Sequence, residues 1–162
     1  MHIRGTVFVL TLLAAGCFLK KQTSGPIDPL ASDRSVTIEF HPFWGGMSAC
    51  ELERKGGKDK LTFTYVVRKA MGDSTYSAAG TISKAQADSV FTQAEKAEWN
   101  SDLFYGTAEG PIGLTVFGEY KKGMLRKNLS CERLKDANEL PKEFLKLAAL
   151  LNAIAPDEMK LY

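Results

Sequence analysis

Apolar and polar residues alternate with a period of two along six stretches of the chain, which is the pattern of strands with one buried face. Lys55–Lys58 and Lys121–Gly123 stand between neighbouring stretches as glycine-containing turns, so two tight hairpins are predicted. The six stretches are Val36–His41, Ser48–Arg54, Leu61–Val67, Tyr76–Ile82, Leu114–Tyr120 and Leu125–Cys131.

Two further stretches follow the helical period instead. Ser83 and Gln86 have the spacing of a capping box, and an apolar stripe follows at Ala87, Val90, Phe91 and Ala94. A second helix is predicted to open within Asn138–Pro141, since proline is tolerated in a first turn, and to end at Pro156. Its apolar stripe is Phe144, Leu147, Ala148, Leu151 and Ile154.

The resulting order is β-β-β-β-α-β-β-α, with Asn100–Gly110 predicted to be loop. Long antiparallel meanders and two amphipathic helices are typical of an α+β fold. We therefore expect a two-layer sandwich in which both helices cover one face of an antiparallel meander sheet. Residues 35–162 have the length of one domain of this class.

The first seventeen residues have a different organisation. Met1–Arg4 is short and basic, Val7–Ala15 is apolar, and small residues lead up to Cys17. This order is typical of a secretory signal. The apolar run is about half of the ~20 residues that a bilayer-spanning helix needs, so a cleaved signal is expected here.

The segment Leu13-Ala14-Ala15-Gly16-Cys17 resembles a bacterial lipobox. The resemblance implies that signal peptidase II removes residues 1–16, that the Cys17 thiol carries diacylglycerol through a thioether, and that the new amino group is acylated. The alternative is an ordinary signal peptide with a cysteine nearby by chance. Two or three acyl chains hold a protein stably on a membrane.

Residues 17–34 contain Pro26 and Pro29 among small and polar residues, which predicts a flexible tether between the lipid and the domain. Phe18 stands where some Gram-negative systems use Asp to retain lipoproteins in the inner membrane. The expected location is therefore the cell envelope, at the outer membrane where such sorting operates, with the domain in the periplasm or at the cell surface.

Charge and cysteine content narrow the classes of function. Removing residues 1–16 takes one of the 21 Lys and Arg and none of the 19 Asp and Glu, which leaves a nearly neutral chain and disfavours nucleic acid as a partner. Cys50 and Cys131 form an even pair in an oxidising compartment, and a disulfide between them is predicted. The alternative is two buried thiols that never meet.

Catalytic and metal-binding signatures are missing from the sequence. His41 is the one histidine after Cys17, and alternation places it on a polar strand face, so neither a metal nor another cofactor is expected. Pairs of carboxylates for a hydrolase would come from a scattered set. That set is Glu39, Glu51, Glu53, Asp102 and Glu109.

The segment Phe40-His-Pro-Phe-Trp-Gly-Gly46 sets aromatic residues on a strand-to-loop junction, as binding surfaces do. We identify His41, Phe43 and Trp44 as candidate partner-binding residues. The alternative is that they cap the end of the core, together with a second cluster at Trp99, Phe104 and Tyr105.

The leading hypothesis is a non-enzymatic, membrane-anchored lipoprotein whose domain binds an envelope protein. The second is a binder of a small ligand or glycan in a pocket between sheet and helices, and the third and more remote is a carboxylate-dependent hydrolase. An exposed aromatic patch favours the first, and a deep apolar pocket with convergent polar groups favours the second.

Overall fold

The chain is described by a computed structural model over residues 33–43, 45–68, 72–99, 104–109 and 113–161. Cys17, the remainder of the expected signal and tether through residue 32, and Trp44 lie outside these ranges. The elements are β1 (Arg34–Pro42), β2 (Met47–Lys55), β3 (Lys58–Val67), β4 (Ser74–Gly80), α1 (Lys84–Lys96), β5 (Phe104–Tyr105), β6 (Leu114–Lys122), β7 (Leu125–Leu134) and α2 (Lys142–Ile154).

The described strands form one sheet in the order β4-β3-β2-β1-β6-β7-β5. The first four strands are an antiparallel meander, and β6 pairs with the other side of β1, which makes β1 the central strand. The predicted α+β class is confirmed. The sheet is mixed rather than wholly antiparallel, because β5 runs parallel to β7 within a segment predicted to be loop. Two residues are too few for an alternation to be visible in sequence.

Both helices are present, and the first has the predicted cap. The Ser83 hydroxyl accepts a hydrogen bond from the Gln86 backbone N–H at 3.2 Å, and the Gln86 side chain accepts one from the Ser83 N–H at 3.0 Å. The second helix starts later than predicted. Ala137–Glu139 forms a separate 3-10 helix and Pro141 is the N-cap of α2, where its extended ψ of 135° keeps it outside the helix.

The inward face of the sheet is set by alternation along β1, where Val36, Ile38 and Phe40 are fully buried. Gly118 of β6 lies opposite Ile38, and a Cβ there would come within 2.7 Å of the Phe144 ring of α2. Glycine is therefore what allows α2 to approach the sheet so closely.

α1 packs on the same face, where its Phe91 ring lies beneath the Arg34 side chain at the beginning of β1. The opposite face of the sheet carries Thr37, Glu39 and His41 and is only half-buried. We refer to it as the open face.

α1 and α2 each have 13 residues. No helix in the described part of the chain has the length and hydropathy that crossing a bilayer requires.

β1 begins at Arg34, which pairs with both Arg54 and Lys122.

Candidate functional site

The two ends of the sheet differ in how they are closed. At one end, which we call the arginine end, Arg34, Arg54 and Lys122 lie on three neighbouring strands. At the other end, which we call the Pro42 end, β1 finishes at Pro42 beside Leu114 at the start of β6. The described candidate residues, His41 and Phe43, lie at the Pro42 end.

His41 lies on the open face and is held by two neighbours. Its Nε2 is 3.1 Å from a carboxylate oxygen of Glu39, and its ring meets the Phe117 ring edge-on at 5.3 Å. No group of three potential ligands for a metal occurs in the described ranges. The expectation that His41 lies on a polar strand face agrees with this geometry. Its side chain lines a groove beside Pro42.

Phe43 follows the last residue of β1 and is 42% exposed. It lines a large groove of about 590 Å³, together with Ala108, Glu109 and Lys135. It also lines a second groove of about 340 Å³ whose walls are mostly polar. The polar walls come from His41, Arg68, Thr115, Glu132 and Arg133. An aromatic side chain therefore stands between two adjoining depressions.

A third groove of about 410 Å³ shares Pro42 with the first two and runs between the sheet and the C-terminal segment. Its floor is apolar, formed by Phe40, Leu114 and Leu161, with Ser48 and Asp136 among its polar members. The Ser48 hydroxyl donates to the Leu161 carbonyl at 3.2 Å, and the Asn152 side chain accepts from the Leu161 N–H at 2.7 Å. These two bonds fix the wall of the groove.

The second aromatic cluster divides between core and surface. Trp99 stacks on Tyr120 at 6.0 Å, meets Phe144 edge-on at 5.4 Å, and donates from Nε1 to the Ala94 carbonyl at 2.7 Å. It caps the core, as the alternative interpretation expected. Phe104 and Tyr105, in contrast, are 38% and 58% exposed.

Tyr105 pairs with Glu132, which itself lines a groove beside Phe43. Exposed aromatic residues from two separate segments therefore border the Pro42 end. Trp44 lies outside the described residues.

The predicted disulfide is wrong for this structure, in which Cys50 and Cys131 are buried free thiols. Cys50 lies on β2 and Cys131 on β7, with β1 and β6 between them. Three strand spacings amount to about 14 Å, twice the ~7 Å beyond which two Cα atoms cannot be bridged. Burial raises the pKa of the Cys131 thiol to about 11 and that of Cys50 higher still, so both behave as small apolar core residues.

The carboxylates considered for hydrolysis do not meet in one cleft. Alternation and strand register place Glu39, Glu51 and Glu53 on the open face. Glu109 lines the large groove at the Pro42 end, and Asp102 lies outside the described residues. Glu39, Glu53 and Glu109 line three different grooves.

The arginine end contains the most strongly coupled charges, and sequence reasoning missed it. Arg54, 3% exposed, donates two hydrogen bonds to Asp59 at 2.6 and 2.7 Å and a third to Asp88 at 2.6 Å. The Asp59 and Asp88 carboxylates raise the pKa of Arg54 further above its ordinary value. The signal was present in the sequence, since Arg54 shares the period-two face of Cys50 and Leu52.

Glu95 joins the same end of the sheet to α1. It accepts hydrogen bonds from Lys122 at 2.8 Å, Tyr120 at 3.1 Å and Arg34 at 3.4 Å. The pKa of Glu95 is lowered chiefly by the hydrogen bond from Lys122, although partial burial acts in the opposite direction. Burial and the nearby Glu95 carboxylate raise the pKa of Tyr120 to about 12. These groups are engaged with one another, so the arginine end holds the fold together.

No protein-family model matches the chain, and a search of curated proteins finds no match.

Proposed function

We propose that this chain is a lipid-anchored protein of the bacterial cell envelope whose domain binds another protein through the Pro42 end. The observation that carries the proposal is the exposure of Phe43 between two adjoining grooves. Large aromatic side chains contribute much of the binding energy at protein interfaces. Exposed apolar patches promote aggregation unless a partner covers them. Tyr105 is exposed on the strand that pairs with Glu132, a residue of the second of these grooves.

The direction of β1 supports the choice of this surface. The chain's N-terminal segment joins the domain at the arginine end, where β1 begins, and Phe43 follows the last residue of that strand. A nine-residue strand spans about 27 Å from first to last Cα at ~3.4 Å per residue. A tether at one end of β1 therefore leaves the other end free to meet a partner.

Anchoring also makes a modest surface sufficient. A domain held at a membrane by a short flexible tether meets membrane-associated partners at a raised effective concentration. A contact built on a few aromatic residues then acts without a large interface. The charge of the mature chain is close to neutral, which fits a protein partner better than a polyanion.

The anchor is tested separately from the partner. We expect the membrane-extracted protein to have a mass that starts at Cys17 and includes acyl chains, and we expect Cys17→Ser to release it from the membrane fraction. A mature protein that starts elsewhere and carries no lipid would contradict the anchor. It would leave the binding surface to be judged by the next experiment.

The partner is tested by site-directed photo-crosslinking in intact cells. A photoreactive residue at position 43 should give a discrete crosslinked species, and one at position 125 should not, because Leu125 is similarly exposed but lies at the arginine end. Phe43→Ala should then reduce co-purification of the crosslinked protein at least tenfold, while Leu125→Ala preserves it. Equal labelling from both positions would contradict a specific surface.

A small ligand in the groove between the sheet and Leu161 is the second candidate. Its apolar floor, polar rim and volume of about 410 Å³ fall within the range of ligand sites. Ligands found by saturation-transfer NMR should lose affinity in Ala137→Leu, which narrows this groove. The same ligands should keep their affinity for Ala108→Leu, because Ala108 lines the groove of about 590 Å³ beside Phe43 and not this one.

A further inference from the structure

The two edges of the sheet are protected to different degrees. The outer side of β7 is covered by β5 and by the chain after it, where Gly106 and Ala108 donate backbone hydrogen bonds to Glu132 and Arg133 at 2.8 and 2.9 Å. At the other edge β4 is the last strand, and no described residue pairs with its outer side. An outermost strand presents a row of backbone donors and acceptors to solvent.

β4 also lacks the devices that normally protect an edge. Its seven residues, Ser-Thr-Tyr-Ser-Ala-Ala-Gly, include no charge and no proline. Its pairing with β3 runs in register from Ser74 to Gly80 without a bulge. Most of its side chains are exposed, and Tyr76 is 50% exposed. An uncharged edge without a bulge is a template for another strand.

We propose that β4 pairs antiparallel with β4 of a second copy of this chain, around a two-fold axis at Ser77. The central position of the strand then faces its own copy, and all seven residues are paired. Tyr76 lies opposite the partner's Ala78, so a large side chain covers a small one on the helix-bearing face. The other pairs join Thr75 to the partner's Ala79 and Ser74 to the partner's Gly80.

Self-pairing is favoured because the strand fits itself. A charged edge would place like charges opposite one another, which destabilises antiparallel pairs, and β4 has none. The two-fold axis is perpendicular to the sheet, so both copies keep their helices on the same side and the sheet continues through the contact. The interface lies three strands from β1, which leaves the Pro42 end accessible and makes this inference independent of the proposed partner site.

The contact is expected to be weak, because one strand pair buries far less than the ~1,200 Å² of a stable interface. Covalent trapping is therefore the suitable experiment. We would introduce Ser77→Cys into the full chain carrying Cys17→Ser, oxidise mildly, and separate the products without reductant. Cys50 and Cys131 compete poorly, since both are buried and burial raises the pKa of each thiol.

Most of the Ser77→Cys protein should become a disulfide-linked dimer that reductant reverses. Thr75→Cys is the matched control, because it is exposed on the same face of β4 but its two copies would lie about 14 Å apart in this register, four residues along the strand. A mixture of Thr75→Cys and Ala79→Cys proteins should crosslink, while each alone should not. Crosslinking of Ser77→Cys no faster than that of Thr75→Cys would overturn the pairing.

Discussion

The arginine end and the Pro42 end lie on the same central strands, yet the first is held mainly by paired charges beside a groove of about 260 Å³, whereas the second is bordered by larger grooves. At the arginine end, Arg34 and Arg54 place their guanidinium groups 4.4 and 5.2 Å from the centroid of the Phe91 ring. At the Pro42 end, three grooves meet around one proline. This fold therefore places its buried ion pairs at one end of the central strands and its larger grooves at the other.

The arginine end is basic, but the guanidinium groups of Arg34 and Arg54 are already engaged by carboxylates. The carboxylates of Asp59, Asp88 and Glu95 already accept hydrogen bonds from the two guanidinium groups. A phosphate or sulfate would have to displace a carboxylate held by two hydrogen bonds. Stacking on Phe91 adds to the hold, since a cation over an aromatic face contributes about 0.5 to 1 kcal/mol at exposed sites and more when buried.

The largest expected effect on stability comes from removing the ion pairs of Arg54 at the arginine end. Arg54→Met keeps most of the apolar stem but leaves Asp59 nearly buried without its cation, which should cost about 3 to 5 kcal/mol of unfolding free energy. Urea unfolding followed by circular dichroism measures the change. Lys121→Met is the control, because its ion pair with Glu119 is at the surface and should be worth about 0.5 kcal/mol. Equal losses in the two variants would refute the comparison.

A pair of leucines tests whether the Pro42 end is less tightly closed than the interior. Leu147→Ala empties a fully buried site on α2 and should cost about 3 kcal/mol. Leu161 is also buried but borders the groove, so its removal enlarges a space that is already open and should cost about 1.5 kcal/mol. Unfolding curves of both variants give the ratio, and a larger loss for Leu161→Ala would show that the Pro42 end is as tightly packed as the core.

The local elements could be predicted from sequence because their signals are local. The capping box at Ser83 and Gln86 and the alternation of Val36, Ile38 and Phe40 need no knowledge of distant residues. Alternation along β2 also indicates an inward position for Arg54, but this was missed because a buried arginine is credible only when its partners are known. Those partners are Asp59 across a turn and Asp88 on a helix 34 residues away.

Long-range order was the part that the sequence could not supply. The pairing of Cys50 with Cys131 followed from counting cysteines, and it failed because β1 and β6 lie between their strands. The grooves at the Pro42 end likewise depend on Leu114 and Leu161 coming to Phe40 from distant segments. Aromatic density near Phe43 was the one local signal that indicated this region.

A smaller effect is expected from pH at the arginine end. The folded pKa of Glu95 lies below its unfolded value, chiefly through Lys122, so its contribution is complete above the ordinary carboxyl pKa of ~4.3 and is lost as pH falls through the lower folded value. Because the side chain is more than one third exposed, solvent limits that contribution to about 0.5 kcal/mol.

Unfolding free energies of the wild type and Glu95→Gln, measured from pH 7 to pH 3, test this dependence. The two proteins should differ by a constant amount above about pH 5 and converge at lower pH. A difference that grows on acidification would reverse the sign. Lys122→Met should flatten the wild-type dependence in the same range, because it removes the principal donor to Glu95.

The smallest effect on stability is expected at the residue that matters most for the proposed binding. Phe43→Ser exposes little additional apolar surface, because the ring is already 42% exposed, and should change the unfolding free energy by at most about 0.5 kcal/mol. Co-purification of the partner should nevertheless be lost. Leu125→Ser is the matched control, since its side chain is 49% exposed at the arginine end and lines neither of the grooves that Phe43 borders. If Phe43→Ser instead destabilises the protein by more than 2 kcal/mol, Phe43 is a core cap and the Pro42 end loses its role as a free surface.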